Sequence, residues 1–407
     1  MTSDPVPSAV VVSGVPPEEQ RAMQARLSRH VGRSLDARAL ARDIEAIAGS
    51  DRYETVTYQL VARPDGIELQ VRATPKPHGP PFLLLGLDVT NPSHTNFELG
   101  VRGRLTARDV AGHGSESRLD AAVGTGFRVA AELYRPVAGG RWFVVPRVIA
   151  HRLSEDPVFD AERTAGYRVS RISVGADVGL AISRNAEWRL GYAAGTGSAS
   201  VRTGDAQLPA FRGPERVARL RFVYDGQDAA VVPHRGVRLQ LDLQRIFTGF
   251  EPYPALAAVA NAGARTRAEW SSSVVVPVQK HHRLIGSFSG GTSFGATSDS
   301  YYDFSLGGPL RLAAYDPGTF TGRNYLHASA TYLHDLGRLP DFVGGPIYVA
   351  TGVEVGSAFS TRKGAAVKSV VSAGVVTETL FGPVALTGGV SLDGHYRVRL
   401  AVGRAWR

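Results

Sequence analysis

Between Val237 and Gln244 the chain alternates without a break, with Val237, Leu239, Leu241 and Leu243 apolar and Arg238, Gln240, Asp242 and Gln244 polar. A strand sends successive side chains to opposite faces, so this segment has one wholly apolar and one wholly polar face. The pattern recurs. Phe127, Val129, Ala131 and Leu133 face away from Arg128 and Glu132. Ile172, Val174, Ala176, Val178 and Leu180 face away from Arg171, Ser173 and Asp177, and Leu220, Phe222 and Tyr224 away from Arg219 and Arg221. Two chemically different solvents are implied. From about Pro81 onward such segments are separated by Gly, Pro, Asn and Asp, with no helical period between them. Strands are predicted to begin near residues 82, 96, 117, 127, 142, 166, 187, 215, 235, 265, 282, 324, 345, 367, 382 and 395, about sixteen in all.

An even number near sixteen suits a membrane barrel with a polar lumen, where ionised side chains stay hydrated. A soluble sandwich also alternates, and a soluble propeller of this size should repeat every ~40 to 50 residues. No such repeat is present. Composition narrows the choice further. Hydrophobic residues make up 43% and charged ones 20%, too apolar for a disordered chain. Yet no stretch approaches the ~18 consecutive apolar residues of a membrane helix, so only a closed barrel could cross a bilayer. The 46 glycines and the absence of cysteine fit a β-rich protein exported through an oxidising compartment.

The net charge of +9 raises the question of a nucleic-acid partner. Arginines are spread singly among apolar residues and not gathered into a patch that could track phosphates, which argues against one. Met1 to Ser8 carries neither a basic nor an apolar leader region, and the expectation is that a segment precedes it.

Residues 8–75 read differently. Ala9 to Val12 is a short β-branched run, and after Pro16-Pro17 a helix is predicted through Leu35, with Glu18, Glu19 and Gln20 in its first turn. Asp36 is placed to cap a second helix in which Leu40, Ile44 and Ile47 share a face and Gly49-Ser50 ends the run. Val56, Tyr58 and Leu60, then Ile67, Leu69 and Val71, alternate on either side of a Pro64-Asp65-Gly66 turn. The order is β-α-α-β-β. In this order, and in Gly32, Leu35-Asp36, Leu40, Asp43-Ile44, Tyr53, Val56 and Gly66, the stretch resembles a POTRA domain, the periplasmic module of the BamA-type outer-membrane superfamily. The resemblance implies a domain whose open strand edge pairs with extended polypeptide.

A second resemblance lies in the barrel, 81–407. From Ser300 to Tyr315 the sequence reads Ser-Tyr-Tyr-Asp-Phe-Ser-Leu-Gly-Gly-Pro-Leu-Arg-Leu-Ala-Ala-Tyr. It is similar to the lumen-inserted loop of BamA-type proteins, where Leu-Gly-Gly leads into Val-Arg-Gly-Tyr or Val-Arg-Gly-Phe, so about 300–322 is expected to enter the barrel. Aligning Gly307, Gly308 and Tyr315 puts Leu312, Ala313 and Ala314 where Val, Arg and Gly would stand, with Arg311 two residues early. That Arg-Leu-x-x-Tyr form looks like the barrels behind patatin-like phospholipases, type V secretion proteins with one POTRA. The literal Val101-Arg102-Gly103 lies mid-strand and lacks this context. Gly352-Val353-Glu354-Val355-Gly356 matches the superfamily's wall motif, with Glu for the usual Asp. The resemblance implies that Arg311 reaches Glu354 in the lumen, the alternative being two lumen charges without contact. At the C-terminus Tyr396, Val398, Leu400 and Val402 alternate with Arg397, Arg399 and Ala401, as in the strand that barrel-assembly machinery reads. Here Trp406 is penultimate where such strands usually end on Phe.

Other motifs carry less. Gly291-Thr292-Ser293-Phe294-Gly295 matches Gly-x-Ser-x-Gly, but a nucleophile elbow needs a helix after the serine, and Ala296-Thr-Ser-Asp-Ser follows. Asp393-Gly394 sits in the last hairpin turn. His281-His282 has no further ligand at metal spacing, and no glycine loop opens a helix onto a phosphate. No catalytic site, metal or cofactor is therefore expected. The expected fold is a transmembrane β-barrel of about sixteen antiparallel strands behind one α+β POTRA domain. By resemblance its job is to anchor, translocate or assemble protein, with outer-membrane lipid, unfolded or fused polypeptide and the assembly machinery as partners.

Overall fold

A computed structural model of the chain describes residues 5–48, 53–75, 81–93, 96–112, 114–124, 126–137, 140–155, 166–203, 210–229, 232–249, 264–295, 302–340, 344–361, 365–379 and 382–402. The chain forms two compact units, Met1–Phe82 with Thr106–Ser115, and Leu83–Leu105 with Glu116–Arg407.

The first unit contains β1 (Pro7–Ser13), α1 (Pro17–Leu27), a 3-10 turn (Ser28–His30), α2 (Ala37–Ala48), β2 (Tyr53–Arg63) and β3 (Gly66–Pro75). Its sheet runs β1-β3-β2, with β1 parallel and β2 antiparallel to the central strand. Pro17 at the first turn of α1, followed by Glu18 and Glu19, suits the positive end of the helix. This helix stops at Leu27, not Leu35. The chain tightens to 3-10 geometry at Ser28, and Gly32 adopts φ 73° while its N–H donates to the Pro7 carbonyl at 2.8 Å, turning the chain back onto β1. Asp36 caps α2 as its sequence position implies, its Oδ1 accepting the N–H groups of Arg38 (2.9 Å) and Ala39 (3.1 Å). The Gly49-Ser50 stop lies outside the described residues.

Leu40, Ile44 and Ile47 pack with Met23, Leu27, Leu69, Val71 and Ala73 into one core. Beside it the buried Asp43 carboxylate accepts from Arg29 Nε at 2.8 Å and meets His30 Nε2 at 2.7 Å. Burial alone would raise that carboxyl, but the His30 and Arg29 hydrogen bonds and the charges of Arg29 and Arg26 outweigh it and hold it below its ordinary value. The pair ties the turn after α1 to α2. Strand β2 lies at a sheet edge and leaves Tyr58 and Leu60 exposed.

The second unit is a closed antiparallel barrel of sixteen strands among the described residues. In chain order these are β4 (Phe82–Ser93), β5 (Asn96–Arg108), β6 (Glu116–Val123), β7 (Phe127–Pro136), β8 (Trp142–Glu155), β9 (Gly166–Ala181), β10 (Ala186–Thr203) and β11 (Phe211–Asp225). They continue through β12 (Gly236–Thr248), β13 (Arg265–Gln279), β14 (His282–Phe294), β17 (Asn324–Arg338), β18 (Gly344–Phe359), β19 (Lys368–Thr379), β20 (Gly382–Ser391) and β21 (Tyr396–Val402). Two short strands, β15 (Phe304–Leu306) and β16 (Phe320–Gly322), pair only with each other, and β14 pairs across them with β17.

The distribution of side chains is inverted relative to a water-soluble protein. Ile172, Val174, Val178, Leu190, Leu220 and Leu241 are exposed, whereas Asp177, Asp242, Arg265, Arg283, Glu354 and Arg399 are buried. An apolar outer wall around a charged interior is stable only with lipid outside and water inside, so these strands cross a membrane. No described helix is long and apolar enough to do so. Because the strands alternate in direction, the connections β10–β11, β12–β13, β14–β17, β18–β19 and β20–β21 share one end, here the long-loop end. The turns after β7, β9, β11, β13 and β17 share the other, the short-turn end.

Candidate functional site

The connection from β14 to β17 folds inward, and its backbone is organised before it meets the wall. Strands β15 and β16 form its stem, Gly307 N–H donates to the Arg311 carbonyl at 2.9 Å, and Gly308 N–H donates to the Tyr315 carbonyl at 3.1 Å. Gly307 has φ 116°, and a Cβ there would stand 2.0 Å from the Asp316 carbonyl oxygen. Only glycine fits. Gly308 also has positive φ, and Leu310 and Leu312 adopt φ 61° and 70°. Left-handed residues in a short run turn successive N–H groups toward one side, a ready anion cradle.

That cradle is filled by Glu354 of β18. The carboxylate is 4% exposed and accepts the N–H of Leu312 at 2.5 Å and that of Ala313 at 3.3 Å. His327 of β17 stands 3.5 Å from the same carboxylate. Gly356, two residues on, lets the loop approach closely, since a Cβ there would be 3.2 Å from Leu306 Cδ1. The Arg311–Glu354 ion pair suggested by the sequence does not form. Arg311 lies with its guanidinium 4.9 Å from the Tyr325 ring centroid, and Tyr325 donates to Glu269 at 2.7 Å. The reason is local geometry: the left-handed Leu312 presents main-chain N–H groups to the acid and sends the preceding side chain elsewhere.

The last two strands complete the hold. Arg399, itself 6% exposed, donates through Nη1 to the Ala313 carbonyl at 2.6 Å and through Nη2 to the Tyr315 carbonyl at 2.5 Å. Arg397 pairs with Asp316. Tyr315 donates its hydroxyl to Asp393 at 2.5 Å, in the β20–β21 turn, where Asp393 also accepts from Lys368 at 2.7 Å and from Ser391. The Lys368, Ser391 and Tyr315 hydrogen bonds hold the Asp393 carboxyl well below its ordinary range, and burial followed by the Asp393 contact pushes the Tyr315 phenol up. A cavity of about 480 Å³ lies beside this cluster, lined by Tyr315, Phe320, Lys368, Asp393 and Arg397 among others.

At its other end the loop touches a different part of the wall. Tyr302 donates to Glu215 of β11 at 2.8 Å and accepts from Arg171 of β9 at 2.9 Å. Contacts to β9 and β11 on one side and to β18 and β21 on the other mean that the loop crosses the lumen. Gly307, Gly308, Tyr315, Glu354 and Gly356 are thus brought together, with Arg311 nearby in another role. Tyr396 and Val398 are exposed on the outer face of β21, and Leu400 lies on the same face. Val402 pairs with Leu87 of β4, where the last strand meets the first and closes the barrel. Trp406 lies outside the described residues. The sequence reading passed over Arg399 and Asp393 as anchors. Arg399 carried a signal, being a charged residue on the lumen face of the final strand, whereas Asp393 reads as an ordinary turn residue. Ser293 of the Gly-x-Ser-x-Gly match lies within β14, paired with Arg267 of β13.

No protein-family model matches the sequence, and no curated protein does. Among solved structures the chain is similar to BamA from Haemophilus ducreyi lacking POTRA domains 1–3, with a TM-score of 0.68 and 11% identity over 98% of this chain and 83% of that one. CdiB from Escherichia coli is similar at a TM-score of 0.65 and 15% identity, covering 99% of this chain and 77% of that one. CdiB from Acinetobacter baumannii is similar at 0.65 and 9%, covering 98% and 73%. The fold is that of the BamA and CdiB barrels, a sixteen-stranded transmembrane barrel preceded by one small domain of POTRA type.

Proposed function

We propose that this chain is an outer-membrane barrel that moves or displays protein, the translocator module of an autotransporter of the patatin type, with its POTRA domain in the periplasm. The observation that carries this reading is the lumen-crossing loop anchored on β18 and β21. A loop held across the lumen by an acid, an arginine and a tyrosine narrows the path for free diffusion. It suits a barrel that must stay shut until polypeptide engages it. The exposed edge of β2, with Tyr58 and Leu60 beside it, offers such a polypeptide a strand to pair with. The Arg-Leu-x-x-Tyr form of the loop favours a fused passenger over free clients.

The test is to express the chain behind a secretion signal with an unstructured, epitope-tagged passenger at its N-terminus in a diderm host. Protease added to intact cells is expected to remove the tag. Complete protection of the tag, in cells whose barrel still shifts in gel mobility on boiling, would reject the autotransporter reading and favour an anchor or an insertase for other proteins.

A further inference from the structure

The β11–β12 connection sits at the short-turn end, opposite the long loop, yet its described residues also fold inward. Its described part, 226–229 and 232–235, is braced by Asp228, whose Oδ1 accepts the N–H groups of His234 at 2.7 Å and Arg235 at 3.2 Å. Val232 is 8% exposed and packs with Leu333 of β17 and Tyr348 of β18, against Ile285, Ala350 and Val376. Arg283 of β14, buried on the lumen face, stacks 4.7 Å from the Tyr348 ring centroid and donates to the Pro233 carbonyl at 3.5 Å. Gln227 donates to Ser273 of β13 at 3.1 Å.

Apart from Ser273 on the adjoining β13, these partners are not neighbours of the turn along the wall. From β12 the ring runs through β13, β14 and β17 to β18, and at ~4.8 Å per strand step the far partner is roughly 20 Å away along the wall. A turn that leaves the rim at β11 and β12 reaches Tyr348, four of sixteen strand steps away, only by cutting over part of the mouth. The contacts also lie inside the rim: Ile285, Leu333, Tyr348 and Val376 are three to five residues from their strand ends at this side. A surface turn would remain hydrated, whereas this one buries a valine and supplies a carbonyl to a lumen arginine that would otherwise be costly to bury.

We propose that the described arms of the β11–β12 turn, 226–229 and 232–235, form a second constriction of the lumen, acting at the short-turn mouth in series with the long loop at the other. The barrel is shut twice. Two resistances in series give a specific signature: opening either alone raises conductance modestly, up to about twofold if they are equal, whereas opening both exceeds the product of the single effects. The inference stands on the barrel alone and not on the translocation reading.

The experiment uses the full chain in planar lipid bilayers, with single-channel conductance recorded for the parent and for Glu354→Ala, which frees the long loop. Into each background go two versions of turn release: replacement of 227–234 by Asn-Gly, and Val232→Asp, which puts a charge into the apolar recess without shortening the chain. Gel mobility before and after boiling establishes that each barrel is folded. The expected result is a larger conductance for both turn variants in the Glu354→Ala background, beyond the product of the separate effects. Turn variants that fold and conduct like their parents in both backgrounds overturn the proposal.

Discussion

Glu354 recognises a backbone, and this explains why the arginine expected beside it is elsewhere. A carboxylate has about four acceptor sites, and two of these are used by Leu312 and Ala313 N–H groups. Holding Leu312 at φ 70° costs about 1–2 kcal/mol, which charge-assisted hydrogen bonds of about 1.5–3 kcal/mol each offset. Arg311 contributes through the Tyr325 face, worth about 1–2 kcal/mol in a desolvated site. Glu354→Ala is therefore expected to release the loop at a cost of roughly 2–4 kcal/mol, since two buried N–H groups lose their acceptor. It would be read as faster hydrogen exchange at Leu312 and Ala313. The swapped pair Arg311→Glu with Glu354→Arg should recover none of that protection, because these side chains do not meet. A double-mutant cycle between Arg311 and Tyr325 should instead show coupling of about 1 kcal/mol. Restored protection in the swapped pair would revive the ion pair and refute the backbone cradle.

Strands carry the membrane assignment, and the two faces of β9 test it in adjacent residues. Val174 points outward at 59% exposure, and Ser173 points to the lumen. Val174→Arg should cost about 2–4 kcal/mol near the bilayer midplane, while Ser173→Arg meets water and should cost much less. Urea titration of folding into lipid bilayers, followed by heat-modifiable gel mobility, measures both. Equal costs would mean that the outer face is not in lipid. The period-two signal behind this prediction also made the barrel legible in the sequence: all sixteen strand starts fall within four residues of their expected positions, β11 being the widest miss at Phe211 against 215. Proline and glycine punctuation fixed the turns, and the helix caps fixed the start of α2. What the sequence hid is non-local. The end of α1 depends on Gly32 reaching Pro7, the loop anchors depend on which lumen residues the tip happens to face, and nothing in Gln227 to His234 marks that turn as folding inward.

For the molecule as a whole, the proposed translocation raises the question of which route a polypeptide takes. Opening the lumen from the long-loop end breaks the Glu354 cradle, both Arg399 hydrogen bonds and the Tyr315–Asp393 contact, several charge-assisted interactions of about 1.5–3 kcal/mol each. Opening the seam between β21 and β4, which pair at Val402 and Leu87, breaks backbone hydrogen bonds worth about 1 kcal/mol each. The seam is the alternative door, and a bridge across it distinguishes the two routes. The chain contains no cysteine, so Leu87→Cys with Val402→Cys introduces a single defined bridge between register partners, whose Cα separation in an antiparallel pair of about 4.5–5.5 Å suits a disulfide. Oxidation is expected to stop export of an N-terminal passenger while leaving the heat-modifiable barrel intact, and a reductant should restore export. Export that continues through the bridged barrel would move the path into the lumen, past both constrictions.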